Sequence, residues 1–281
     1  LNAIRFQGVT RSFNAYTAIR DIDLDINAGS FVSVVGPSGC GKSTLLNLAA
    51  GLIAPSAGSI SVFGEQLRGL NRRASYMFQQ DALLPWKTTI ENITLGLRFR
   101  GRPDTERHAR EWVSRVGLSG FENAYPAQLS GGMRKRVAMA QNWVVDPDIL
   151  LMDEPFSALD VHTRLRMETE LLVLWTESPK TILFVTHDLE EALALADEVV
   201  VLSAGPASRI VNRYAVDLPR PRDLIDIRAD ERFNQLYRQI WAQLREEVLA
   251  SYETSDVSLA NSAGRSDRRS VADAGERKET R

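Results

Sequence analysis

Residues 31 to 44 read FVSVVGPSGCGKST. A short, mostly apolar run of strand type leads straight into a glycine-rich loop, and a helical run, STLLNLAAGL (43 to 52), leads out of it. The loop fits the pattern G-x-x-x-x-G-K-[ST] at Gly36, Gly41, Lys42 and Ser43. Glycines there allow consecutive backbone N–H groups to converge on an anion, and the helix N-terminus behind them adds positive potential. Gly36, Pro37, Ser38, Gly39, Cys40, Gly41, Lys42, Ser43 and Thr44 are therefore expected to wrap the phosphates of a nucleoside triphosphate. Lys42 reaches the β and γ phosphates in this reading, and the Ser43 hydroxyl ligates Mg²⁺.

A magnesium-nucleotide site also needs a carboxylate at the end of a neighbouring strand, and ILLMDEP (149 to 155) supplies it. Asp153 is the expected metal ligand, and Glu154 is placed to polarise an attacking water. Two adjacent acids after a buried strand are hard to account for structurally, because uncompensated buried charge is expensive.

Around these points strand and helix alternate. IRFQGV, IDLDI (22 to 26) and FVSVV read as strands, with short strands near 59 to 63 and 74 to 78. Residues 88 to about 145 read as helical, followed by strand DILLMD, a helix over 160 to 176, strand TILFVT, helix LEEALALAD and a hairpin around SAGPAS. This is an α/β pattern with a mostly parallel central sheet, an N-terminal antiparallel β part and a helical insertion. VDLPRPRD (216 to 223) is a Pro-broken connector to a helix whose Phe233, Leu236, Ile240 and Leu244 share one apolar face. Residues 251 to 281 are poor in large apolar residues and read as a disordered tail.

Bulk properties narrow the function. A formal net charge of −2 argues against a general nucleic-acid binder. Cys40, the single cysteine, rules out an intrachain disulfide and suits a reducing compartment. No apolar run approaches the roughly 18 residues of a membrane span, and LNAIRFQGVTR lacks the order of a secretory signal. Leu1 leaves the true N-terminus open.

A second glycine-rich stretch, LSGGMRKRV (129 to 137), raises the question of what it grips. Taken in order with Gln79 in YMFQQ, LLMDEP, SALD (157 to 160) and THD with His187, it resembles the signature of the nucleotide-binding subunits of ABC transporters, over about residues 3 to 215. The resemblance implies a P-loop NTPase core, with residues 1 to 215 as the ATPase domain and residues 88 to 145 as its helical subdomain. It also implies ATP and Mg²⁺ as cofactors and a head-to-tail homodimer in which each signature closes on the ATP of the partner's loop. Ser130, Gly131 and Gly132 would offer a hydroxyl and N–H groups to that γ-phosphate, as a second helix N-terminus aimed at an anion. By the same resemblance Gln79 contacts Mg²⁺ and the attacking water, His187 contacts the γ-phosphate, and Asp160 reaches across the dimer. Phe13 stacks on adenine, with Tyr16 as the alternative. Met133 and Gln141 depart from the family's usual Gln and Arg, outside the phosphate-contacting set.

FQQDALLPW, LSGGMRKRV and VDLPRPRD look most like the nitrate/sulfonate/taurine group of importers. That likeness implies two membrane-spanning permease subunits, an extracytoplasmic solute-binding protein and a peripheral location on the cytoplasmic face of the inner membrane. Leu84, Pro85 and Trp86 in DALLPWKTTIENI (81 to 93) form the candidate docking surface for a permease. The competing reading, a soluble ABC ATPase acting on DNA or ribosomes, is disfavoured by two features. No sustained heptads lie between Thr44 and Leu129, and the chain has one cassette.

Overall fold

The computed structural model describes residues 1–252. In chain order it contains β1 (Asn2–Phe13), β2 (Tyr16–Asn27), β3 (Phe31–Val35), α1 (Lys42–Ala49), β4 (Ala57–Val62), β5 (Glu65–Gln66) and β6 (Ala74–Met77). There follow α2 (Thr89–Phe99), α3 (Thr105–Arg115), α4 (Gly131–Trp143), β7 (Ile149–Asp153), α5 (Val161–Glu177), β8 (Thr181–Val185), α6 (Leu189–Leu195), β9 (Glu198–Leu202) and β10 (Ile210–Ala215). A last helix, α7, covers 231–252. The tail expected from residue 251 lies outside the described residues, apart from its first two positions, which continue α7.

Two sheets form. The six-stranded one has the order β10-β9-β3-β8-β7-β6, parallel throughout except for the antiparallel β9–β10 pair at one edge. Every residue of FVSVV and TILFV is buried, as are four of the five in ILLMD. Runs apolar on both faces belong in the centre of a parallel sheet covered by helices on each side. All the parallel strands end on the same edge, which is where open α/β sheets place their ligands.

The second sheet, β2-β1-β4-β5, is antiparallel. Ile4, Phe6 and Val9 of β1, and the alternate residues Ile22, Leu24 and Ile26 of β2, pack with Leu45, Leu46 and Leu48 of α1 and with Val32 and Val34 of β3. β1 and β2 extend beyond the expected IRFQGV and IDLDI to meet at a two-residue turn, Phe13 pairing with Tyr16 and Asn14 at φ 53°. The alternation signal is lost there because TRSF has no apolar–polar period and the pairing register shifts between Val9, Arg11 and Ser12.

Between β6 and β7 the chain builds α2, α3 and α4 around a small core of their own, including Ile93, Val113 and Val137. Asn92 is fully buried there; its amide donates to the carbonyls of Leu84, Lys87 and Thr88 while its oxygen accepts from the Leu84 N–H, so one side chain sets the whole 84–88 turn. Phe233, Ile240 and Leu244 of α7 join the core of α5 and α6, which also takes in Ala138, Met139 and Trp143 of α4, with Leu236 packed at its margin. Among the described residues no helix is long and apolar enough to cross a membrane.

Candidate functional site

The loop after β3 closes tightly on itself. Gly41 has φ 92°, and a Cβ there would sit 2.6 Å from Ile19 Cγ2. At Gly36 a Cβ would meet Cys40 Sγ at 2.8 Å, so the thiol serves as packing beneath the loop. Burial pushes the Cys40 thiol pKa up, against the pull of Lys42, which keeps it neutral and unreactive. Lys42 opens α1 and folds back, its Nζ donating to the carbonyls of Gly36 and Pro37, both at 2.9 Å. Its ammonium is thereby held inside the loop by two weak neutral acceptors, which a phosphate oxygen outcompetes.

Beside it, the Ser43 hydroxyl donates to Asp153 Oδ1 at 3.0 Å, and Tyr76 donates its hydroxyl to Asp153 Oδ2 at 3.3 Å. Burial raises the Asp153 pKa; the Ser43 and Tyr76 hydrogen bonds oppose that, and the neighbouring Glu154 charge adds to it. The same burial, with the Asp153 charge, raises the Tyr76 phenol, so it stays a donor. With the Ser43 hydroxyl and the Gln79 side-chain oxygen, which line the same pocket, Asp153 offers oxygen ligands of the kind Mg²⁺ takes. Among the described residues no cluster of three His, Cys, Asp or Glu could hold a metal by itself. Mg²⁺ takes one or two protein ligands and completes its shell with phosphate and water.

Glu154 is the hub of the remaining groups. Its backbone sits at φ 42°, uncommon for a non-glycine residue, and its N–H donates to Val185 O of the adjoining strand at 2.8 Å. Its Oε2 lies 3.0 Å from His187 Nδ1 and accepts from Gln79 Nε2 at 3.4 Å. Gln79 follows β6, Glu154 follows β7 and His187 follows β8, so three adjacent strand ends deliver three side chains to one point. The pocket above them is lined by Phe13, Tyr16, Ser38, Lys42, Asp153 and Glu154, among others. Phe13 and Tyr16 are both exposed at its rim; Arg11 covers one face of Phe13 at 4.4 Å, and the Tyr16 hydroxyl donates to Gly39 O at 3.5 Å.

Other expected residues lie elsewhere. Ser130 is exposed at the N-terminus of α4, where its Oγ accepts from Met133 N at 3.3 Å; neither it nor Gly131 or Gly132 lines the pocket. Gly132 packs so closely on α5 that a Cβ would approach Thr163 Cγ2 to 2.8 Å. Asp160 caps α5, its Oδ1 accepting from Thr163 N at 3.0 Å, and that bond lowers its pKa. In one copy, then, the structure brings together the phosphate loop, Gln79, Asp153, Glu154 and His187, and leaves Ser130, Gly131, Gly132 and Asp160 apart from them.

Three residues at the site escaped the sequence reading. Tyr76 holds Asp153, as described. Lys135, 3% exposed, donates to Gln79 O at 2.7 Å and pairs with Asp81 at 3.0 Å, while Arg134 pairs with the same carboxylate at 3.0 Å. The Gln79 segment is thereby tied to the helix that begins at Ser130. The signal was present: an acid two residues after Gln79 and two bases in the first turns of α4.

Behind His187, Thr186 donates to the buried carboxyl of Glu191, and Glu168 is buried nearby. Burial pushes Glu191 up to about 8, with Glu168 and Asp188 adding to the rise and Thr186 and Arg164 opposing it. Burial likewise pushes Glu168 up to about 7. A carboxyl with a raised folded-state pKa contributes stability that is full below its unfolded value and is lost as pH rises through the folded one. Urea unfolding measured from pH 5 to 9 is expected to show the chain losing stability, and Glu191→Gln removing part of that loss. The variant should therefore gain on the wild type with increasing pH, by up to about 1.4 kcal/mol per unit. Parallel pH dependences for the two proteins would rule out a neutral Glu191.

A family model described as ABC transporter matches residues 19–157. The chain is 43% identical over 254 residues to an uncharacterised ABC transporter ATP-binding protein of Methanocaldococcus jannaschii, covering 88% of this chain and 93% of that one. This chain belongs to the ABC transporter ATP-binding family. It is also 43% identical over 216 residues to the taurine import ATP-binding protein TauB of Yersinia pestis, covering 76% of this chain and 84% of the relative. A solved dimeric structure of an ATP-binding cassette in a post-hydrolysis state, bound to ADP and Pi, is similar over 77% of this chain and all of its own, with 31% identity and a TM-score of 0.68. The ABC ATPase is thus the chemical engine of a transporter, and its fold is that of the P-loop cassettes.

Proposed function

We propose that the chain is the ATP-hydrolysing subunit of an importer and works as a head-to-tail pair, each copy completing the other's site. One observation carries this: the glycine-rich helix start at Ser130 is exposed and does not line the pocket of its own chain. In this reading Lys42 and the loop N–H groups hold the phosphates, and Phe13 or Tyr16 stacks on adenine. Ser43, Asp153 and Gln79 hold Mg²⁺, which when bound neutralises charge on the β and γ phosphates. Glu154 accepts a proton from the attacking water, and Gln79 and His187 fix its carboxylate and face the γ-phosphate. Ser130, Gly131 and Gly132 meet that phosphate from the partner, and Asp160 faces the dimer interface. ATP favours the closed pair because the second set of phosphate contacts exists only there; cleavage removes that preference.

The permease is proposed to dock beside the Gln79 segment. Trp86 is 69% exposed there, Pro85 is exposed and Phe78 is 45% exposed, whereas Leu84 is partly covered. Phe78 also lines a hollow between β6, α2 and α4, together with Met77, Phe99 and Arg100. The solute class supported best is that of nitrate, alkanesulfonates or taurine, through the likeness to a taurine importer subunit. In this reading the chain sits peripherally on the cytoplasmic face of the membrane, and an extracytoplasmic binding protein selects the solute.

Affinity purification of the tagged chain from its own cells after gentle solubilisation tests this. The expected result is co-elution with an integral membrane protein, and ATP-dependent taurine or alkanesulfonate uptake once the complex is in proteoliposomes with its binding protein. Co-elution with nucleic acid or ribosomes and no membrane subunit would overturn the transporter reading. Uptake of an unrelated solute would overturn the solute class alone.

A further inference from the structure

The LPRPR run at 218–222 has no part in the site so far described. It does, however, reach the helix that follows His187. α6 has seven residues, and a helix that short has no stability of its own and leaves its last carbonyls without partners. Here four consecutive carbonyls at its end are taken by two guanidinium groups. Arg222 Nη1 donates to Leu193 O at 3.2 Å, Ala194 O at 3.1 Å and Ala196 O at 2.7 Å; Arg220 Nη2 donates to Leu195 O at 2.8 Å. Arg222 Nη2 also donates to Val216 O at 3.3 Å. Two cations thus stand at the negative pole of the helix. Burial and the neighbouring Arg220 lower the Arg222 pKa to about 10, which leaves it charged at neutral pH.

The other end of α6 is fixed as firmly. Asp188 caps it, accepting from Glu190 N at 2.9 Å and Glu191 N at 3.2 Å, and pairs with Arg164 at 3.2 Å. Arg228, from the same C-terminal stretch, pairs with Glu190 at 3.0 Å. Arg220 also binds Asp197 at 2.7 Å, and the other oxygen of that carboxylate accepts from Phe31 N, the first residue of the strand that leads to the phosphate loop. His187 itself is 58% exposed at its side chain and reaches Glu154 Nδ1-to-Oε2 at 3.0 Å, so little else confines it.

We propose that Arg220 and Arg222 are positioning residues for His187: by locking the C-terminal end of α6 they set where its N-terminal end presents the imidazole to Glu154. The inference rests on the proposed role of His187 in hydrolysis and extends it to a segment beyond the residues matched by the family model. The guanidinium pair acts through the helix and touches no nucleotide.

The test is a double-mutant cycle on ATP turnover by the full chain, run well below each variant's melting temperature with radiolabelled ATP so that slow rates are read. Arg222→Met is expected to lower kcat about tenfold with KM changed less than twofold, and Arg222→Lys, which keeps the charge but not the fork, to recover part of the loss. In a His187→Ala background the same Arg222→Met substitution should cost less than a factor of two, because the group it positions is gone. An unchanged kcat in Arg222→Met, or an equal loss with and without His187, would overturn the proposal and leave the arginines purely structural. Wild-type turnover in His187→Ala alone is a different result; it would remove His187 from the reaction and the inference with it. Should Arg222→Met not fold, Arg220→Met carries the same cycle.

Discussion

Glu154→Gln is expected to lower the rate of phosphate release by roughly 10²–10⁴, the usual contribution of a general base, while ATP still binds. The substitution is nearly isosteric, so the polar partners at Oε2, the Gln79 amide at 3.4 Å and His187 Nδ1 at 3.0 Å, keep a group to contact. What is lost is the capacity to take a proton from water. The phosphate loop, Lys42, Ser43 and Asp153 are unaltered, and nucleotide affinity should stay within a few-fold of wild type. Because closure of the pair is proposed to depend on uncleaved ATP, the variant should also accumulate as an ATP-containing dimer on size-exclusion chromatography, where the wild type is expected to revert to monomer. Hydrolysis at the wild-type rate would strip Glu154 of the role and leave no other carboxylate among the pocket-lining residues free to assume it, since Asp153 is engaged by Ser43 and Tyr76.

The strained backbone at Glu154 sharpens this expectation. A φ of 42° is kept because the N–H bond to Val185 O and the buried Pro155 and Phe156 that follow leave the chain no other course. Residues in such conformations collect where a side chain has to be aimed. Here the aim is toward Gln79 and His187, at the ends of the strands on either side of β7.

Much of this was legible in the sequence because it is local. A strand, a glycine loop and a helix are adjacent in FVSVVGPSGCGKST, and the acid pair sits directly at the end of ILLM. Their burial patterns and turn chemistry are short-range properties, so spacing alone placed them. The long β1–β2 ribbon was only half visible, since bulges break its period. What was not legible is long-range. Tyr76 on Asp153 joins residues 77 positions apart, and the arginine pair at 220 and 222 caps a helix more than twenty residues upstream. Charged residues in PRPR read equally well as a solvated linker, and only the fold shows that they face orphaned carbonyls. The choice between Phe13 and Tyr16 as the adenine platform is likewise unaltered by the fold, which puts both at the rim of the same pocket.

Ser130→Arg should abolish ATP-driven dimerisation and leave ATP binding by the single chain within about threefold of wild type. The asymmetry follows from position. Ser130 is exposed, caps α4 through its bond from Met133 N, and takes no part in the pocket of its own copy. Losing that cap weakens the first turn of α4 by about 1 kcal/mol, too little to unfold a helix whose Val137, Ala138, Met139 and Ala140 are buried. Across the pair the loss is larger. A hydroxyl and the N–H groups of Gly131 and Gly132 are proposed to meet a phosphate oxygen, and hydrogen bonds to a charged group are worth about 1.5–3 kcal/mol each. Displacing two of them with a bulky side chain costs on the order of 3–6 kcal/mol, or about 10²–10⁴ in dimer affinity. Sedimentation with ATP in a Glu154→Gln background reads the dimer, and fluorescent-nucleotide titration of the monomer reads the site. A variant that dimerises normally, or one whose monomer no longer binds nucleotide, would mean that Ser130 does not serve the partner's ATP, and each chain would then have to complete its site alone.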